Sequence, residues 1–131
     1  MKNITILFSI ISFLLTISVN GQTNSIEIDE FIKKIASERY MLIDVRTVEE
    51  FEEGYIQGAV NIDYYSTDFA NQIEKISNTT PVLLYCRSGN RSGKCMEMMY
   101  TMGFTEVKHL EVGIKGWIAE GYRIIQSEHE N

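Results

Sequence analysis

The residues best suited to chemistry lie together in Tyr85-Cys86-Arg87-Ser88-Gly89-Asn90-Arg91-Ser92. A loop of this composition can curl around the Cys86 sulfur with its backbone N–H groups turned inward, making a concave anion site. The positive end of a following helix would add to that site, as would the cations of Arg87 and Arg91. A free thiol titrates near pH ~8.5, and electropositive surroundings commonly lower that to about 3.5–7.5. Cys86 is therefore expected to be a thiolate at neutral pH, a nucleophile activated without an adjacent base. Most cysteines at the end of an apolar strand are small buried hydrophobes. Here the neighbouring arginines, serines, asparagine and glycine have no packing use, whereas together they suit an anion pocket.

Strand and helix signals alternate along the chain around that stretch. Ile26 to Ile28 reads as a brief strand, and Asp29 as the cap of a helix whose apolar face is Phe31, Ile32 and Ile35. Met41 to Val45 reads as a buried strand, Val48 to Glu53 as a short acidic helix halted by Gly54, and Ala59 to Ile62 as another strand. Phe69 to Ile76 follows as a helix with Phe69, Ile73 and Ile76 on one side. Pro81 then opens the most apolar strand, Val82 to Tyr85, where proline can stand only at the start. A helix from about Arg91 to Met102 ends at Gly103, and Val107 to Leu110 and Ile114 to Glu120 supply a last strand and helix. Strands separated by helices imply an α/β fold with a central, mainly parallel sheet flanked by helices on both faces. In such sheets chemistry gathers where strands end and helices begin, which is where Cys86 falls.

Length and composition bound the possibilities. The 131 residues leave room for one domain, and 23% charged residues with a single proline argue against disorder. A net charge of -6 and scattered basic residues exclude phosphate-tracking nucleic-acid binding as the main activity. Two cysteines make no disulfide framework. Lys2 followed by the apolar run Ile4 to Val19 has the pattern of an export signal. Val19 and Gly21 suit the positions read by signal peptidase. The expected organisation is a signal peptide over residues 1–21 and one domain over residues 22–131. The run is shorter than the ~20 residues of a membrane span, so no stable membrane insertion is expected after cleavage. A periplasmic or secreted protein follows.

Other residues read less sharply. Asp44 and Arg46 end a strand on the presumed active side and are candidates to orient the cysteine loop or line the pocket. An ion pair that ties loops together is their commoner use. Glu49, Glu50, Glu52 and Glu53 read as a solvated helix face. Cys95 could in principle pair with Cys86 in an oxidising compartment, but an extended loop would hold the two apart, so Cys95 reads as packed. Met96, Met98, Met99 and Met102 read as core, Trp117 as a packing anchor, and His109 and His129 have no ligand-like partners in the sequence.

The segment CRSGNRS, preceded by Pro81-Val82-Leu83-Leu84-Tyr85, resembles the active-site loop of single-domain rhodaneses, the thiosulfate sulfurtransferases. The family shows Cys, four residues, then Arg with a glycine between, which Cys86, Gly89 and Arg91 match. Asp44-Val45-Arg46-Thr47, Glu49-Glu50-Phe51 and Gly54 to Ile62 are similar to the family's amino-terminal block, and Gly113 to Trp117 with Gly121 to its closing segment. Tyr55 stands where the family commonly has His, and Val112-Gly113 where it has paired glycines. Related phosphatases and arsenate reductases have five residues between Cys and Arg, so the spacing of four disfavours them.

The resemblance implies a persulfide mechanism. Cys86 takes the outer sulfur of thiosulfate or a similar small anionic donor, and a thiol, cyanide or protein acceptor removes it. Arg87, Ser88, Gly89, Asn90, Arg91 and Ser92 would bind the substrate through loop N–H groups and the two guanidiniums. No metal or organic cofactor is required. Two other classes stay open: a sulfur-carrier or binding module on the same fold with little small-molecule turnover, and a thiol redox sensor.

Overall fold

The computed structural model describes residues 24–126. The expected signal peptide and His129 lie outside the described residues. Ten elements follow in chain order: β1 (Ser25–Ile26), α1 (Ile28–Ala36), β2 (Met41–Asp44), α2 (Val48–Glu53), β3 (Val60–Asn61), α3 (Phe69–Glu74), β4 (Val82–Tyr85), α4 (Asn90–Thr101), β5 (Val107–Leu110) and α5 (Gly113–Ala119). The strands form one sheet in the order β1-β5-β4-β2-β3, and every pair in it is parallel. The expected α/β architecture is the observed one.

Alternation of side chains along the strands divides the core into two layers. Ile43, Val82, Leu84 and Val107 face a layer completed by Phe69 and Ile73 of α3 and by Cys95 and Met99 of α4. Leu42, Leu83, Tyr85 and Leu110 face the other, completed by Phe31 of α1 and by Ile114 and Trp117 of α5. β4 sits in the middle of the sheet with all four residues buried, which explains its unbroken apolar run. Met96, Met98 and Met102 pack against the first layer, as a core use of the methionines requires.

The amino-terminal boundary differs from the sequence reading. Ile28, expected in a strand, is the first residue of α1, and the cap is Glu27 rather than Asp29, with no side-chain capping bond. The helix can begin there because the Phe31 amide donates to the Glu27 carbonyl at 3.0 Å, and Asp29 and Glu30 then lie in the first turn, where negative charge is favourable. By contrast, α2 has the expected bounds, with Thr47 accepting from the Glu50 amide and Gly54 ending it.

Two apparent irregularities are absorbed by packing. Tyr55 stacks on Phe51 with ring centroids 4.3 Å apart, and its amide and carbonyl exchange hydrogen bonds with Ile125. It holds the carboxy-terminal segment through that bridge. The side chain of Val112 lies where a Cβ on Gly116 would be, so the missing side chain at 116 makes room for a valine at 112.

Candidate active site

The loop after β4 turns at Gly89, which has a φ of +94° and caps α4. A Cβ there would overlap the Glu111 carbonyl, and one on Gly113 would overlap the Arg87 carbonyl. Both positions need glycine because the loop packs backbone to backbone on the start of α5. The amides of Ile114 and Lys115 donate to the carbonyls of Cys86 and Arg87 at 2.9 and 3.0 Å. Four bonded groups thus fix the base of the loop to a second element.

That curl encloses the sulfur. The Gly89 amide lies 3.2 Å from Cys86 Sγ, and the Ser92 hydroxyl 3.4 Å from it. Burial alone would raise the Cys86 pKa. Hydrogen bonds from the Ser92 side chain and from the amides of Ser92, Ser88 and Gly89 outweigh it and leave the thiol below its ordinary value. Cys86 is 1% exposed, yet its sulfur meets an amide and a hydroxyl of the loop and is not closed in by apolar groups alone. Cys95, also free, is wholly buried, and burial followed by the nearby Cys86 charge pushes its thiol up to about 12. The environment thus lowers one thiol and raises the other.

A cavity of about 600 Å³ borders the loop, with Arg46, Arg87, Arg91 and Lys115 as its cations, Glu50 and Glu53 as its anions, and Ile114 and Ile118 as an apolar wall. Arg87, Ser88 and Asn90 are exposed, and Ser92 is buried. Arg91 is already engaged: Nη1 and Nη2 donate to Glu50 Oε1 and Oε2, each at 2.9 Å, and its guanidinium lies 5.6 Å from the Tyr65 ring centroid. The acidic run in α2 is therefore not uniformly solvated. Glu49, Glu52 and Glu53 are exposed, whereas Glu50 turns inward to Arg91. Among the described residues no salt bridge joins Arg87 or Lys115 to a carboxylate.

Asp44 and Arg46 take the structural role. The Arg46 side chain donates to both Asp44 carboxylate oxygens and, at 2.6 Å, to the Gly54 carbonyl, in a buried pair. Asn61 bridges the carbonyls of Asp44 and Arg46 at 3.0 and 2.9 Å. The Tyr85 hydroxyl accepts the Ile56 amide at 3.0 Å. These bonds fix the β2 end of the site, and Arg46 also reaches the cavity wall.

Six contributors escaped the sequence reading: Glu50, Glu53, Ile114, Lys115, Ile118 and His109. The His109 Nδ1 lies 3.0 Å from the Ser92 hydroxyl. No local pattern marks any of them. Each reaches the site only through the tertiary arrangement of α2, α5 or β5.

The fold is thus an α/β domain with a cysteine sulfur held by loop amides after a central parallel strand, beside a cationic cavity. A family model described as a rhodanese-like domain matches residues 27–120, and the chain belongs to that family. Among relatives, it is 33% identical over 97 residues to thiosulfate sulfurtransferase 16, chloroplastic, of Arabidopsis thaliana, covering 66% of this chain and 79% of that one. It is 28% identical over 106 residues to a sulfurtransferase of Allochromatium vinosum, covering 80% and 97%. It is 40% identical over 76 residues to the uncharacterised protein YqhL of Bacillus subtilis, covering 58% of this chain and 59% of that one. Among solved structures, a rhodanese-related protein from Thermoplasma volcanium superposes with a TM-score of 0.68 at 27% identity, over 77% of this chain and 96% of that one.

Proposed function

We propose that this protein is a sulfurtransferase that carries sulfane sulfur on Cys86, taking it from thiosulfate or a similar small anionic donor. The observation that carries the reading is the Cys86 sulfur held by the Gly89 amide and Ser92 hydroxyl beside a cationic cavity. In the first half-reaction the Cys86 thiolate attacks the outer sulfur of thiosulfate. The S–S bond of the donor breaks, sulfite leaves with the bonding pair, and Cys86 becomes an anionic persulfide. In the second, cyanide or a thiolate attacks the outer persulfide sulfur and restores the Cys86 thiolate. No net proton or external electron is needed, and the two halves give ping-pong kinetics. The loop amides stabilise the negative sulfur in both states, and Arg87 and Lys115 offer the donor's sulfonate charge-assisted bonds. Export, supported by Lys2 and the apolar run Ile4 to Val19, would place this chemistry outside the cytoplasm in a chain beginning at Gln22.

A second reading, sulfur carriage to a protein acceptor, is favoured by the exposure of Val112 (41%) and Ile118 (49%) beside the site. A relative at 27% identity, YrkF of Bacillus subtilis, is described as a putative sulfur carrier protein. Steady-state thiocyanate production from thiosulfate and cyanide separates the two. Turnover lost in Cys86→Ser supports the enzyme. A wild-type protein that loads sulfur but does not turn over supports the carrier.

A further inference from the structure

We propose that His109 is a positioning residue for the Cys86 nucleophile, holding the Ser92 hydroxyl so that its single hydrogen points at the sulfur. The inference deepens the reading of Cys86 as the sulfur-carrying group and rests on it. Three hydrogen-bond partners surround the Ser92 Oγ: Cys86 Sγ at 3.4 Å, the Gly89 carbonyl at 3.3 Å and His109 Nδ1 at 3.0 Å. One hydrogen cannot serve all three. The Gly89 carbonyl, which also accepts the Gly93 amide at 3.0 Å, has a second lone pair and competes with the sulfur for the hydrogen whenever nothing orients the hydroxyl. If Nδ1 carried no hydrogen, the hydroxyl would donate to the imidazole across the shortest contact and present lone pairs to an anionic sulfur. With the hydrogen on Nδ1, His109 donates to Oγ, and the hydroxyl is left free to donate to Sγ. Only the second arrangement stabilises a thiolate.

The fold holds the ring in place. His109 pairs with Ser25 on one side and with Leu84 on the other, so its side chain is directed at α4, where Ser92 is wholly buried and His109 itself is 7% exposed. The ring lies beside Gly93, where a Cβ would meet Cε1 at 3.5 Å and Nε2 at 3.6 Å, ordinary contact distances. Burial lowers the His109 pKa, opposed by the charges of Glu111 and Glu97, which keeps the ring a neutral single donor at pH 7. The chain Cys86–Ser92–His109 links the loop after β4 to α4 and β5 and needs no part of the cavity.

The test titrates the Cys86 thiolate in the absence of donor, by the pH dependence of iodoacetamide alkylation read on the Cys86 peptide. His109→Leu is expected to raise the inflection by about one pH unit, roughly a tenfold loss of thiolate below it. His109→Asn, whose amide can stand in for Nδ1–H, is expected to restore it. His109→Gln, which places its amide where Nε2 was, is expected not to, and this polar pair answers the question even if the leucine variant does not fold. Ser92→Ala is expected to raise the inflection similarly, with no further rise when His109→Leu is added. An unchanged inflection in the folded leucine or glutamine variant, or additive shifts in the double variant, would overturn the role. A wild type that titrates as expected yet takes no sulfur from thiosulfate would instead overturn the proposed function.

Discussion

Arg91 and Glu50 face one another across the mouth of the site with two parallel N–H···O bonds of 2.9 Å. The pair orients the guanidinium but places a carboxylate in the lining of the cavity that the proposed dianionic donor would enter. Removing that charge while keeping a hydrogen-bond acceptor should therefore help binding. Glu50→Gln is expected to lower KM for thiosulfate about two- to fivefold at low ionic strength, with the gain shrinking as salt is added. Arg91→Ala is expected to slow the first half-reaction about tenfold or more with the fold intact. Single-turnover kinetics measure both, and a higher KM in Glu50→Gln would show that the carboxylate aids donor binding.

The two thiols should separate sharply by pH. Cys86 lies below the ordinary 9.0, whereas Cys95 is pushed up to about 12. Alkylation of the native protein near neutrality is expected at Cys86 alone, with Cys95 reacting only after unfolding. Stability should follow the same signs. A lowered folded value makes the Cys86 contribution present above 9.0 and lost as pH falls through its folded value. A raised one makes the Cys95 contribution present below 9.0 and lost as pH rises toward about 12. Urea unfolding of wild type and Cys86→Ser between pH 6 and 9 checks the first, which requires their difference to grow with pH.

Gly89 and Gly113 let the cysteine loop and the start of α5 approach backbone to backbone. Alanine at either position combines positive-φ strain with overlap, expected to cost about 3 kcal/mol or more and to abolish transfer. Chemical denaturation measures the cost. A loss below about 1 kcal/mol at both would mean that the approach is not needed.

Asp44→Ala would leave the buried Arg46 guanidinium without its carboxylate, a change expected to cost about 3–5 kcal/mol. Because Arg46 is also bound to the Gly54 carbonyl at 2.6 Å, the loss should loosen the end of α2 together with the β2 end. Hydrogen exchange at Tyr55 and Ile56 reads that loosening directly. Unaltered protection would confine the pair's effect to β2.

The chain discloses its local features better than its long-range ones. α2, β4 and β5 have the bounds expected from their residues, because Gly54 after the acidic run, the proline before Val82 and the apolar runs are local signals. The start of α1 differs because Ile28, apolar and two residues after Ile26, reads equally as the next inward position of a strand. Cys86 and its loop were legible because anion-binding residue types stand side by side. Glu50 was not, since its partner is 41 residues away and the acidic run around it reads as solvated. His109 was not, since its partner Ser92, 17 residues away, is reached only through the register of β5 beside β4.

The most direct test of sulfur carriage is the intact mass of the purified protein after incubation with thiosulfate and removal of excess donor. Wild type is expected to gain one sulfur atom, to lose it on adding cyanide, and to gain nothing when Cys86 is replaced by serine. An equal gain in Cys86→Ser, or no gain in a folded wild type whose Cys86 alkylates normally, would contradict the account.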